Sequence, residues 1–360
     1  MFRSTHSIRV LVAFSPRVRG CSLAALHTST ARGQKKFDFH EQTSSFKESA
    51  KNPAVDSRLI TDDYQYIRDN YQTPRHPVML CHGLCGFDSL NILSLAPPFS
   101  YWHGIKEALA ANNIEVYTAA VAPTASIQVR AKYLLDAIVE KVPANETAAD
   151  GRPVININLI GHSMGGLDAR YVISRLIPER AKTLGTSDSA IKVSSLTTIA
   201  TPHRGSYIAD LLVASPLGPD KFPALYRVLP TMGFDDNSAE GFKQLTRAFM
   251  REKFNPTVLD DPTVAYFSYG AKARPHFFGV FRQAWERLYQ QEGDNDGMVS
   301  VESAKWGEYI GTINNVDHLD LINFTNIVQY NWKRLLGIPN PFNAIALYLH
   351  VTDMLAKKGF

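Results

Sequence analysis

Gly161-His162-Ser163-Met164-Gly165 sets a serine hydroxyl between two glycines, where one backbone periodicity gives way to another. Val154–Ile160 alternates and is rich in β-branched residues, which predicts a strand. Gly166–Leu176 carries apolar residues at helical spacing and stops before Pro178, which predicts a helix. A strand, a G-x-S-x-G turn and a helix make a nucleophile elbow. The chain bends sharply, the serine oxygen stands above the sheet edge, and the helix presents its positive end. Such a serine can attack an electrophilic carbonyl, provided a base takes its proton and an acid steadies that base.

Eleven histidines are available as the base. His6 and His27 fall at the N-terminus, and His40 lies in a polar stretch. His162 adjoins the serine, so its side chain should diverge from it. His203, followed by Arg204, is expected to buttress a loop, and His82 to organise one. His318, in Asn315-Val316-Asp317-His318-Leu319-Asp320, permits the chain order serine, acid, histidine. The acid then belongs in a turn after a late strand. Asp296 in Gly293-Asp294-Asn295-Asp296-Gly297 fits, with Gly297 freeing the turn. Asp294 would share its face in an extended segment, and spacing alone leaves it open. Asp317 and Asp320 lie too close to His318 along the chain to orient it. Two backbone N–H groups are expected as oxyanion donors, those of Met164 and of Leu84 after His82-Gly83.

Elements to hold these residues follow from the pattern. Val78–Leu80, Val116–Val121, Ser194–Ala200, Val264–Tyr269 and the segment before Asp296 read as further strands. Trp102–Ala110 reads as a helix. Ser126 caps another, whose inner face is Ile127, Ala131, Leu134, Leu135, Ile138 and Val142. Asn340 and Pro341 open a closing helix to Lys357. Strands alternating with helices predict an α/β fold with a mainly parallel sheet covered on both faces. From about 206 to 260 the apolar residues are broken by Pro216, Pro219, Pro223 and Pro230. That segment reads either as a lid over the site or as plain core packing.

Composition narrows the class. The chain has 360 residues and a formal charge of +4, but residues 1–37 hold seven Lys or Arg and no acid. The remainder carries 31 basic against 34 acidic residues, so the body is no nucleic-acid binder by charge. The Arg-rich, acid-free leader reads as a mitochondrial transit peptide, which places the mature chain in the mitochondrion. Residues 38–73 form a polar extension, expected to wrap the domain or stay mobile, and 74–360 the main domain. Only Cys81 and Cys85 lie beyond the leader, too few for a disulfide framework. No apolar run approaches the length of a membrane span, so contact with a lipid surface would be peripheral.

Together these pieces resemble the bacterial true lipases and, more closely, the fungal mitochondrial triacylglycerol lipases. The resemblance is carried by Cys81-His82-Gly83-Leu84, Tyr101-Trp102-His103-Gly104-Ile105 and Asn158–Gly166. Thr197–Ser206, Asn295-Asp296-Gly297-Met298-Val299-Ser300 and Asp317-His318-Leu319-Asp320 complete it, in family order between Val78 and about Gln329. It implies an α/β-hydrolase fold and hydrolysis of acylglycerol esters through an acyl-enzyme on Ser163. Asp296 and His318 would complete the triad. The bacterial relatives hold a structural calcium near the catalytic histidine. Asp320 matches one ligand, but Phe324 replaces a side-chain ligand and no partner aspartate precedes Asp296, so no cofactor is expected. Phe277–Gln291, with Phe281, Trp285 and Leu288 on one helix, departs from the bacterial pattern. The same triad serves a phospholipase, thioesterase or acyltransferase. A non-catalytic lipid-binding protein on this fold is the alternative from another class, against which the complete triad and both elbow glycines argue.

Overall fold

A computed structural model describes residues 59–60, 64, 66–84, 101–185, 190–214, 239–274, 281–324 and 342–360. The chain divides into units 1–53 and 54–360, and every described residue lies in the second. Among the described residues there are eight strands: β1 (Leu59–Ile60), β2 (Val78–Cys81), β3 (Val116–Thr118), β4 (Glu146–Thr147), β5 (Pro153–His162), β6 (Ile191–Ile199), β7 (Ala265–Lys272) and β8 (Glu308–Asn314). Seven form a parallel sheet in the order β1-β8-β7-β6-β5-β2-β3, and β4 pairs antiparallel with the start of β5.

Strand alternation splits the core between the two faces of the sheet. Val78 and Leu80 of β2 pack on one side with α1 (Ile105–Ala111) and the C-terminal helix Ala344–Lys357. Met79 and Cys81 point to the other, against α2 (Ile127–Lys141) and α3 (Met164–Tyr171). Burial on both faces is what lets an all-parallel sheet of this length persist. Ser126 caps α2 as expected, accepting from the Val129 amide. The expected inner face of α2 is buried except for Leu135, which is only half-buried.

After β2 the chain adds β3 on one side and then β5 through β8 on the other. The strand order therefore reverses between β2 and β5, whose carboxyl ends are neighbours through Cys81 and Gly161. In open α/β sheets such a switch point is where ligands bind.

Three expectations need correction, and one strand is new to the reading. The helix after the elbow does not stop before Pro178 but continues through α4 (Ile177–Thr183). A π-helical turn at Val172–Leu176 widens the backbone just ahead of the proline; there the ring would otherwise strike a carbonyl of the preceding turn. The segment before Asp296 is a helix, Arg282–Glu292, followed by a single bridge from Asn295 to Ser300, and no strand. The strand that leads to His318 is β8, which the sequence pattern had not singled out. The closing helix starts at Ala344, capped by the Asn343 side chain on the Ile345 amide, while Asn340 and Pro341 fall outside the described residues. Part of the polar extension is docked. β1 pairs with β8, and Arg68 meets Asp353 at 2.8 Å. The middle of the expected lid, 215–238, lies outside the described residues. Its flanks, α5 (Tyr207–Ala214) and Ala239–Gln244, bury Ile208, Leu212 and Phe242.

Candidate active site

Ser163 sits between β5 and α3 with φ 54° and ψ −131°, a conformation that L-residues avoid. Its two peptide groups are held in place. Its N–H donates to the Ile199 carbonyl at 3.0 Å, and its carbonyl accepts from Thr201 Oγ1 at 2.8 Å. The elbow glycines are required by close approach of backbones. A Cβ on Gly161 would lie 2.6 Å from Gly166 Cα, and one on Gly165 would strike the Cys81 carbonyl oxygen.

The carboxyl ends of three strands bring the expected residues together. His318, on the loop after β8, accepts from Ser163 Oγ through Nε2 at 2.9 Å. Its Nδ1–H donates to Asp296 Oδ2 at 2.7 Å. The other oxygen of Asp296 accepts from the Met298 and Val299 amides at 2.9 and 2.8 Å. Asp296 is fully buried, and its own carbonyl accepts the His318 N–H at 3.0 Å, which ties acid loop to base loop. The excursion between β7 and Asp296 closes where Ala273 N–H donates to the Asn295 carbonyl. Asp294, the rival acid, instead faces outward and pairs with Lys272 at 3.0 Å.

Three other histidines, His203, His82 and His162, take the places expected of them. His203 is buried under the loop after β6, stacked on Trp306 and bonded to Thr198; burial and the neighbouring Arg170 keep it neutral. His82 bonds to the Gly83 carbonyl within its own loop, and burial with Arg130 nearby pushes its pKa down to about 3. His162 turns away from the serine and accepts from the Tyr101 hydroxyl at 2.7 Å, with its ring 4.7 Å from that of His318. Burial, then the nearby His318, hold it neutral, so it adds no charge beside the base.

Met164 is the first residue of α3, so its N–H has no acceptor within the helix. Gly83, just ahead of Leu84, abuts the serine: a Cβ there would lie 2.8 Å from Ser163 Cβ. An apolar wall borders the constellation. Leu84, Met298 and Leu319 pack against buried Ile208, Leu212, Phe242 and Phe281. A hydroxyl, an oriented imidazole and a buried carboxylate in this order are the parts needed for acyl transfer to serine.

Comparison with known proteins agrees with this geometry. Residues 71–214 match the family model described as "Putative serine esterase (DUF676)". Triacylglycerol lipase 2 of Saccharomyces cerevisiae is 34% identical over 349 residues, which covers 86% of this chain and all of that protein. The chain belongs to the triacylglycerol lipase family. A triacylglycerol lipase of Pseudomonas fragi matches at 26% identity over 81% of this chain and 99% of its own length. The solved Staphylococcus hyicus lipase superposes with a TM-score of 0.56 at 19% identity, covering 81% of this chain and 98% of that one. EstA from Clostridium botulinum gives 0.56 at 20% identity, covering 83% and 95%. The family and these folds make the protein a carboxylic ester hydrolase of the serine type on an α/β-hydrolase scaffold.

Among the described residues, Asp320 is engaged within its own loop. Its carboxylate accepts the Asp317 amide, and the Asp317 carboxylate accepts the amides of Leu319 and Asp320. Calcium requires six to eight oxygens, and among the described residues no three acidic, histidine or cysteine side chains converge to hold a metal. Burial, then Asp320 and Asp296, raise the Asp317 carboxyl from its ordinary 3.8 to about 7. The folded state then keeps a proton that the unfolded chain gives up. This carboxyl therefore withdraws stability as pH rises from about 4 to about 7. Asp317→Asn keeps the acceptor for both amides. Its Tm should match that of the native protein near pH 4 and exceed it by a few degrees at pH 8, read by thermal unfolding across that range.

Sequence reasoning did not assign Arg130 or Asp168, a fully buried pair 2.8 Å apart beneath the oxyanion loop. The available signal was an arginine three residues after Ile127 and four before Leu134, on the face of α2 that had to be apolar.

Proposed function

We propose that the protein hydrolyses acylglycerol esters through an acyl-enzyme on Ser163. His318 takes the serine proton and returns it to the leaving alcohol, Asp296 holds the imidazole in the Nδ1–H tautomer, and the Leu84 and Met164 amides bind the oxyanion. Water then attacks the acyl-enzyme with His318 again as base. The observation that carries this reading is the continuous hydrogen-bonded line from Asp296 through His318 to Ser163, at 2.7 and 2.9 Å. The apolar wall formed at Leu84, Met298 and Leu319 favours a fatty acyl group beside the ester, as does the activity named for the yeast and Pseudomonas relatives.

A fluorophosphonate probe followed by mass mapping should label Ser163 alone. A panel of triacylglycerol, phospholipid, acyl-CoA and p-nitrophenyl esters should then give the highest kcat/KM on triacylglycerol. Labelling at another serine removes the mechanism, and faster turnover of phospholipid or thioester removes the substrate class. We place the protein in the mitochondrion, on the basic, acid-free residues 1–37. Fused to a fluorescent protein, they should direct it to mitochondria, and a diffuse signal would refute the placement.

A further inference from the structure

Two peptide groups lead from His82, the residue after β2, to Leu84, and both are held by the same side chain. In the first, the His82 carbonyl accepts from Arg130 Nη2 at 2.7 Å, while the Gly83 N–H donates to the Tyr101 hydroxyl at 3.0 Å. In the second, the Gly83 carbonyl accepts from the same Nη2 at 3.1 Å and from His82 Nδ1 at 3.0 Å. His82 Nε2 accepts the Val121 N–H, so its ring proton is on Nδ1 and points at that carbonyl. A trans peptide directs its C=O and N–H oppositely. With the Gly83 carbonyl drawn to Arg130, the Leu84 N–H is turned away from the guanidinium.

The rest of Arg130 is anchored as firmly. It is fully buried, and its Nε donates to Asp168 Oδ2 at 2.9 Å. Asp168 lies one turn along α3 from Met164. One rigid, planar guanidinium therefore links the peptide bearing the Leu84 N–H to the helix whose first N–H is that of Met164. We infer that Arg130, anchored by Asp168, is a positioning residue for the oxyanion hole, fixing the 83–84 peptide so that the Leu84 and Met164 amides converge on one carbonyl oxygen. This rests on the assignment of those two amides as oxyanion donors. The positive charge at the Gly83 carbonyl also polarises that peptide, which strengthens its N–H as a donor.

A thiocarbonyl sulfur accepts hydrogen bonds poorly, so oxyanion stabilisation separates an ester from its thiono analogue. The test measures kcat and KM for p-nitrophenyl butyrate and the corresponding thionoester with the native protein, Arg130→Lys and the double variant Arg130→Met/Asp168→Leu. Lysine keeps the charge beside Asp168 but gives up the two-pronged donor. The double variant removes both buried charges and so strands neither, and circular dichroism checks that each variant is folded. In both variants kcat on the oxygen ester should fall about 10–100-fold with KM within about threefold, because a misaimed donor loses less than the 10²–10³ of a deleted one. The thionoester should be much less affected, so the native preference for the oxygen ester shrinks. Parallel losses on both esters would mean a merely structural role and overturn the proposal, as would variants that keep the native preference. A native protein with no preference for the oxygen ester would overturn the underlying assignment of the donors, and the clamp with it.

Discussion

Ser163→Ala should lower kcat for acyl esters roughly 10⁶-fold while leaving the fold in place. Alanine removes the only atom that His318 activates and disturbs nothing else, because the elbow is held through the backbone of residue 163. A companion replacement separates strain from chemistry. At φ 54° and ψ −131° a β-carbon is unfavourable, and such a conformation costs about 1–3 kcal/mol. Ser163→Gly relieves that strain and gives back about 0.4–1 kcal/mol through the freer unfolded chain. The glycine variant should therefore be as inactive as the alanine variant and yet more stable, by about 1 kcal/mol, in denaturant unfolding. Residual turnover in either variant would move the nucleophile elsewhere. A glycine variant less stable than the alanine variant by about 0.4–1 kcal/mol, the unfolded-chain entropy alone, would mean that no strain is stored at the elbow.

The parts of this site that were legible in the sequence are those whose signal is local. Two glycines flanking a serine at a strand–helix junction report close backbone approach, and the structure meets it at Gly161 and Gly165. The order of Ser163, Asp296 and His318 could be read because the fold threads its strands in one direction. What stayed hidden depends on contacts distant in sequence. Asp294 and Asp296 share a face in an extended chain. They are separated only because Met298 and Val299 fold back onto Asp296 and Lys272 captures Asp294. Arg130 and Asp168 are 38 residues apart on different helices, and no periodicity announces an ion pair of that kind. Pro178 misled for the same reason: proline ends a helix by local rules, but a packed π-helical turn absorbs it.

Asp296→Asn should lower kcat about 10⁴-fold with little change in fold, and the reason is which way an amide must face. Oδ1 of Asp296 accepts two backbone N–H groups, from Met298 and Val299. Asparagine can keep those bonds only by placing its carbonyl oxygen there, which turns its NH₂ toward His318 Nδ1. The reversed orientation sets an NH₂ against two N–H donors inside a fully buried site and leaves all three unsatisfied. In the favoured orientation Nδ1 must accept, so the ring proton moves to Nε2 and faces Ser163 Oγ. An imidazole in that tautomer donates to the serine and cannot deprotonate it. The loss should thus appear in kcat more than in KM, with Tm near that of the native protein. Asp294→Asn is the matched control: it gives up only a partly exposed ion pair with Lys272 and should leave kcat unchanged. If the two variants exchange outcomes, Asp294 is the acid; if Asp296→Asn retains more than about a tenth of the native kcat, His318 does not depend on an oriented carboxylate.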